Sequence, residues 1–153
     1  MLRRATVEDI PELVELQALL FADMGHDNAS TTSWRNPAAD WLRDHLGVDA
    51  CVYVVDDAGT LVACALGYLH TAPPSPSSMT DLRGHISNVV TIESHRRRGH
   101  ARRCVDALME WFTQETSAEV VDLSASPDGQ PLYESMGWQV RDDPTMRRSI
   151  SSR

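Results

Sequence analysis

The sequence predicts a mixed α/β fold, with one sheet covered by helices on both faces. Three observations carry this expectation. Runs rich in β-branched and apolar residues occur at 50–56, 61–70 and 85–92, each bounded by turn-forming residues. Around them, residues 10–24 and 98–116 repeat their apolar positions at helical spacing. The 153 residues contain no repeat, low-complexity stretch or dividing linker, so 1–153 is expected to form a single domain.

In chain order, Leu2 to Ala5 forms a short first strand. Thr6, with Asp9 three residues on, resembles a capping arrangement. Ile10, Leu13, Val14, Gln17, Leu20, Phe21 and Met24 then follow a helical stripe. Pro11 falls in the first turn, where a missing N–H does little harm. Gly25-His26-Asp27-Asn28 ends this helix, and Asn36-Pro37 opens a second that runs through Trp41 to about Leu46, with Gly47 as its stop. Runs 50–56 and 61–70 pair as a hairpin through Asp57-Ala58-Gly59-Thr60. The Pro- and Ser-rich stretch 71–78 is a surface loop, either bordering a site or merely connecting strands.

His85 to Ile92 is the fourth strand, and a helix from about Arg98 to Thr116 follows it. Ala101, Cys104, Val105, Leu108 and Phe112 form that helix's buried stripe. Glu119 to Ala125 is a fifth strand and Pro127 to Met136 a short helix. Trp138 to Arg141 and Met146 to Ile150 are expected as two final strands.

Composition excludes several function classes. The net charge of −8 argues against nonspecific binding to nucleic acid or an anionic membrane. Residues 1–9 lack the apolar core of a signal peptide, and the longest apolar run, Leu61 to Tyr68, is too short to span a bilayer. A cytoplasmic protein is therefore expected. Cys51, Cys64 and Cys104 have no C-x-x-C spacing, which excludes a zinc ribbon, and no metal is expected. A Cys51–Cys64 cross-strand bond is conceivable, but small buried hydrophobes are the favoured reading.

One feature runs against the acidic total. All 14 basic residues are arginine, and five of them fall at Arg96, Arg97, Arg98, Arg102 and Arg103. They surround Gly99-His100-Ala101, between a strand and an amphipathic helix. A helix start leaves N–H groups unpaired and carries partial positive charge. Glycine allows the backbone to approach an anion closely, and guanidinium groups match phosphate oxygens. This is a pyrophosphate cradle. It lacks the G-K-[ST] end of a Walker loop and the three glycines of a dinucleotide fingerprint.

Arg96-x-x-Gly99-x-Ala101 resembles the [QR]-x-x-G-x-[GA] motif of the GCN5-related N-acetyltransferase (GNAT) superfamily. The preceding Asn88-Val89-Val90-Thr91 is similar to that family's fourth strand, and Leu132-Tyr133 with Gly137-Trp138 to its L-Y-x-x-x-G-[FW] signature. The two signatures occur in the family's order and separation. The resemblance implies a GNAT fold whose fourth and fifth strands splay, with acetyl-CoA as co-substrate. The pantetheine arm would pair with the backbone of Val89, Val90 and Thr91. Arg96, Arg97, Arg98, Gly99, His100, Ala101 and Arg102 would surround the pyrophosphate, chiefly through main chain. Ser126 stands where many relatives place a cofactor-contacting asparagine.

The resemblance also implies roles in catalysis. Tyr133 matches the tyrosine that protonates the departing thiolate, as a neutral phenol can. His85 lies near the position of a family base, with His26, Asp27 and His70 as other candidates. Glu93 lies too far toward the phosphate end for that role.

The acceptor would be an amine: a small amine, an amino acid, an antibiotic or a protein N-terminus. The acidic surface outside the arginine cluster favours a cationic one. Monomer and homodimer both remain open. A regulatory acyl-CoA-binding domain without turnover is the alternative, and it would have no need of Tyr133.

Overall fold

The computed structural model describes residues 1–26 and 33–150. Five strands form one sheet in sequential order: β1 (Leu2–Arg4), β2 (Ala50–Asp57), β3 (Thr60–Thr71), β4 (Leu82–Thr91) and β5 (Val121–Leu123). The first four pair antiparallel and β5 joins β4 in parallel. A parallel connection requires a crossover, which α3 (His100–Glu115) supplies across one face; the short α4 (Gln130–Ser135), after β5, packs on the same face. Helices α1 (Ile10–Asp23) and α2 (Arg35–His45) cover the other face.

Coverage on both faces explains why the central strands are almost continuously apolar rather than alternating with polar residues. Ala50, Val52 and Val54 of β2 face α1, whereas Cys51 and Val55 face α3. Small residues let α3 settle closely onto the sheet. A Cβ on Gly84 would lie 2.7 Å from Cε1 of Phe112, and one on Gly67 would lie 3.0 Å from Cδ2 of Leu108. The β2–β3 turn uses Ala58 and Gly59, both at positive φ, as a two-residue hairpin requires.

Several elements differ from expectation at their ends. Helix α1 stops at Asp23, leaving Met24 as an exposed cap, and α2 begins at Arg35, ahead of Asn36-Pro37. The fourth strand starts three residues early because Leu82 and Arg83 pair with Thr71 and His70. Arg83 is itself buried and pins the preceding loop, donating to Ser78 Oγ at 2.8 Å and to the Pro73 carbonyl at 2.8 Å. The expected strands Trp138–Arg141 and Met146–Ile150 do not form. Their apolar side chains Val140, Met146 and Ile150 stand exposed among charged neighbours, so a hairpin there would bury too little to offset its ordering.

The cysteines follow the favoured reading. Cys51 lies opposite Gly67 and Cys64 opposite Val54, on opposite faces of the sheet, and all three thiols are free and buried. Burial pushes the thiols of Cys51 and Cys104 up to about 11 and about 12. Among the described residues, no helix is long and apolar enough to cross a membrane.

Candidate active site

The sheet is paired across β4 and β5 over only three residues: Gly84 with Val121, His85 with Asp122, and Ile86 with Leu123. Beyond Ile86, β4 continues to Thr91 beside β3 alone, so its far edge is open along Ser87–Thr91. This is the predicted splay. At its start β4 carries a bulge: Leu66 pairs with Ser87 but Cys64 with Val90, and Asn88 sits at φ +53°. An open strand edge inside a folded sheet presents N–H and C=O groups to an extended, amide-bearing ligand. Val90 is buried toward α1, whereas the half-buried Val89 lies on the α3 side. The Thr91 carbonyl accepts from Arg96 Nε at 3.0 Å.

The open edge leads into the turn before α3. A 3₁₀ turn at Glu93–His95 is followed by Arg97 at φ +64° and Gly99 at φ +79°, with Arg98 between them. Left-handed residues interleaved in this way turn successive amides toward one point, a geometry that holds anions. No side chain caps α3, and its first intrahelical bond is Arg103 N to Gly99 O at 3.1 Å. Gly99 is needed for its backbone conformation. A Cβ there would meet no protein atom within 4 Å, so the fold itself leaves room for one at that turn.

The arginines divide between two tasks. Arg96 turns away from the helix start, pairing through Nη2 with Asp23 Oδ2 at 2.7 Å. It anchors the turn to α1. Among the described residues, Arg97, Arg98, Arg102 and Arg103 have no carboxylate partner, so their charge stays available. Arg102 reaches Ser135 Oγ of α4 at 3.3 Å, and Arg98 reaches the Ser94 carbonyl at 3.3 Å. Half-buried His100 is held below the usual histidine range, first by burial and then by Arg103, His95 and Arg98. Ala101 lies half-buried in the first turn. The Ser126 hydroxyl accepts from Gly129 N at 3.1 Å, shaping the entry to α4.

Tyr133 and His85 lie on opposite faces of the sheet near the point of divergence. The Tyr133 ring is buried in the cluster that contains Ile86 and Val89, 6.2 Å edge-on from Trp138. Among the described residues no group hydrogen-bonds its hydroxyl, and that oxygen is not sealed from solvent. Burial pushes the phenol's pKa up, so it stays protonated at neutrality. His85 faces the α1–α2 side, half-buried, with the Tyr68 ring 5.3 Å away. Burial holds it below the ordinary histidine range, aided by His70 and opposed by Asp122.

Of the other base candidates, His26 is exposed against Phe21, His70 stands beside Tyr68, and Asp27 lies outside the described residues. Tyr68 and Asp122, which flank His85 on the neighbouring strands, are absent from the sequence expectations because strand register is not written in local pattern. Among the described residues no group of three or more His, Cys, Asp or Glu side chains is arranged to hold a metal.

Solved structures of similar fold include a GCN5-related N-acetyltransferase from Ralstonia eutropha, with 25% identity, a TM-score of 0.85 and 97% of each chain covered. A predicted acetyltransferase from Clostridium acetobutylicum, solved with acetyl-CoA, has 21% identity and a TM-score of 0.87, covering 97% of this chain and 95% of that one. Glucosamine-6-phosphate N-acetyltransferase from Arabidopsis thaliana has 19% identity and a TM-score of 0.75, covering 99% and 98%. No curated protein matches the sequence. The model of the acetyltransferase (GNAT) family matches residues 13–138, a span that takes in the splayed strands, the turn before α3 and the helix that carries Tyr133. With that match over most of its length, the chain belongs to the GNAT acetyltransferase family.

Proposed function

We propose that the protein, acting as one catalytic domain over residues 1–153, transfers the acetyl group of acetyl-CoA to a primary amine. The observation that carries this reading is the open β4 edge running into an uncapped, arginine-flanked helix start. One end of that path suits amides and the other suits phosphates, the two recognition elements of a pantetheine diphosphate. Val89, Val90 and Thr91 would pair with the arm. The amides of Arg97 to Arg102 would take the pyrophosphate, with Arg96 bracing the turn and Ser126 shaping the α4 side.

The faces of the sheet divide the proton transfers. The acceptor ammonium gives a proton to His85, kept neutral by its burial. The freed amine attacks the thioester carbonyl from the α1–α2 side. As the C–N bond forms and the C–S bond breaks, the thiolate takes the Tyr133 hydroxyl proton on the opposite face, and the second proton that the nitrogen sheds in becoming an amide returns through solvent to the phenolate. A backbone N–H of the open β4 edge would stabilise the charge on the carbonyl oxygen. No cysteine is needed: all three are buried and held as thiols by burial.

The test is a screen of primary amines with acetyl-CoA, following free thiol release. Amine-dependent release at a rate above hydrolysis is expected. Tight acetyl-CoA binding with no release for any amine would instead establish the binding-only alternative.

A further inference from the structure

Resting on the proposed amine acetylation, the acceptor's chemical class can be argued from the face of the sheet that carries His85. Three register partners form a row across neighbouring strands: Tyr68 of β3, His85 of β4 and Asp122 of β5. Directly opposed residues point to the same face, so the three side chains stand together. The row lies one residue before β5 ends its pairing with β4 at Ile86 and Leu123.

Each member offers something different to a ligand. Tyr68 and His85 are half-buried, their rings 5.3 Å apart, and Trp41 of α2 meets Tyr68 edge to face at 5.7 Å. Trp41 is held in place by stacking on His45 at 4.2 Å, and His45 is anchored by Asp49 at 2.6 Å. Asp122 is exposed and, among the described residues, unpaired. Arg141, whose charge reaches Asp122 through space, is engaged by both oxygens of Asp143 at 2.9 and 3.1 Å. The row therefore presents an aromatic wall, a proton acceptor and a free carboxylate, each one strand spacing from the next.

We infer that Asp122, Tyr68 and Trp41 form the acceptor subsite, and that they select a cationic primary amine on an aromatic or apolar skeleton with no carboxylate beside the amine. Asp122 draws the ammonium to His85 and repels an acceptor carboxylate. The faces of Tyr68 and Trp41 cover the apolar part and also favour a cation passing over them. Tyr68 and Asp122 are specificity residues here, and His85 takes the proton.

Three matched probes separate these contributions: 2-phenylethylamine, ethylamine and phenylalanine, each with acetyl-CoA and thiol detection. 2-Phenylethylamine is expected to exceed ethylamine in kcat/KM by about tenfold or more, through burial of its ring. It is expected to exceed phenylalanine by up to about fivefold, since exposed charge interactions reach that size. Asp122→Asn should raise the KM for 2-phenylethylamine about fivefold and erase the discrimination against phenylalanine, leaving the KM for acetyl-CoA unchanged. Tyr68→Ala should remove the preference over ethylamine, and Tyr68→Phe should restore it. If phenylalanine or ethylamine serves equally well, or the Asp122→Asn ratios match those of the native protein, the subsite assignment is overturned while amine acetylation stands. Absence of thiol release with every amine overturns both.

Discussion

Replacing Tyr133 by phenylalanine removes one oxygen and leaves the ring. The structural cost is small because the hydroxyl has no hydrogen-bond partner among the described residues and reaches solvent. The ring, which is buried among Ile86, Val105, Leu108 and their neighbours, keeps all of its contacts. Stability should therefore change by no more than about 0.5 kcal/mol. The chemical cost is large if the phenol protonates the leaving thiolate. A positioned acid contributes about 10²-fold at the low end, equivalent to about 2.7 kcal/mol of barrier. The two numbers together separate catalysis from packing, since a packing aromatic would show neither effect. Thermal melting, acetyl-CoA affinity by calorimetry and single-turnover thiol release on the same variant make the assay. A fall in the single-turnover rate with melting and affinity unchanged is expected. A phenylalanine variant with near-native turnover in that chemical step would falsify the acid role.

Three further predictions follow from particular distances and charges. Gly99→Ala should cost about 1 kcal/mol of stability by thermal melting, for the left-handed backbone alone, because its Cβ meets no protein atom. Gly99→Glu should weaken acetyl-CoA affinity tenfold or more by calorimetry, and unchanged binding in a folded Glu variant would refute the anion cradle. Because burial disfavours the charged imidazole of His85, the working neutral form persists below the ordinary histidine pKa of about 6.5. At saturating acceptor, kcat should be flat through neutrality and fall only as pH drops below that value, and a midpoint at or above it contradicts His85 as the base. Gly84→Ala would place a Cβ 2.7 Å from Phe112 and 2.9 Å from Val121, costing about 1–3 kcal/mol of stability and several degrees of melting temperature; an unchanged melting temperature would show that α3 is not seated as described.

Local pattern made the helices, the central strands and the cradle legible. The apolar spacing of Cys104, Val105, Leu108 and Phe112 is a statement about one helix face, and the face is buried where the spacing puts it. Arg96 to Ala101 could be located because a helix start leaves its amides unpaired wherever it occurs. Pairwise geometry was not legible. That Tyr68, His85 and Asp122 share a row depends on the register of three strands, which the bulge at Asn88 also shifts. The diversion of Arg96 to Asp23 spans 73 positions and has no local signature. The expected strands after Trp138 fail for a related reason. Val140, Met146 and Ile150 are apolar, and Val140 and Ile150 favour strands, but nothing in the segment says whether a surface exists to receive them.

Hydrogen exchange of the full chain with and without acetyl-CoA tests the seating of the co-substrate most directly. With the pantetheine arm in the gap and the pyrophosphate at the helix start, amides within Ser87–Thr91 and Arg97–Arg102 should exchange more slowly by tenfold or more, while the β1–β2 edge stays unchanged. Acetyl-CoA binding that leaves both segments unprotected would contradict the gap and the cradle together.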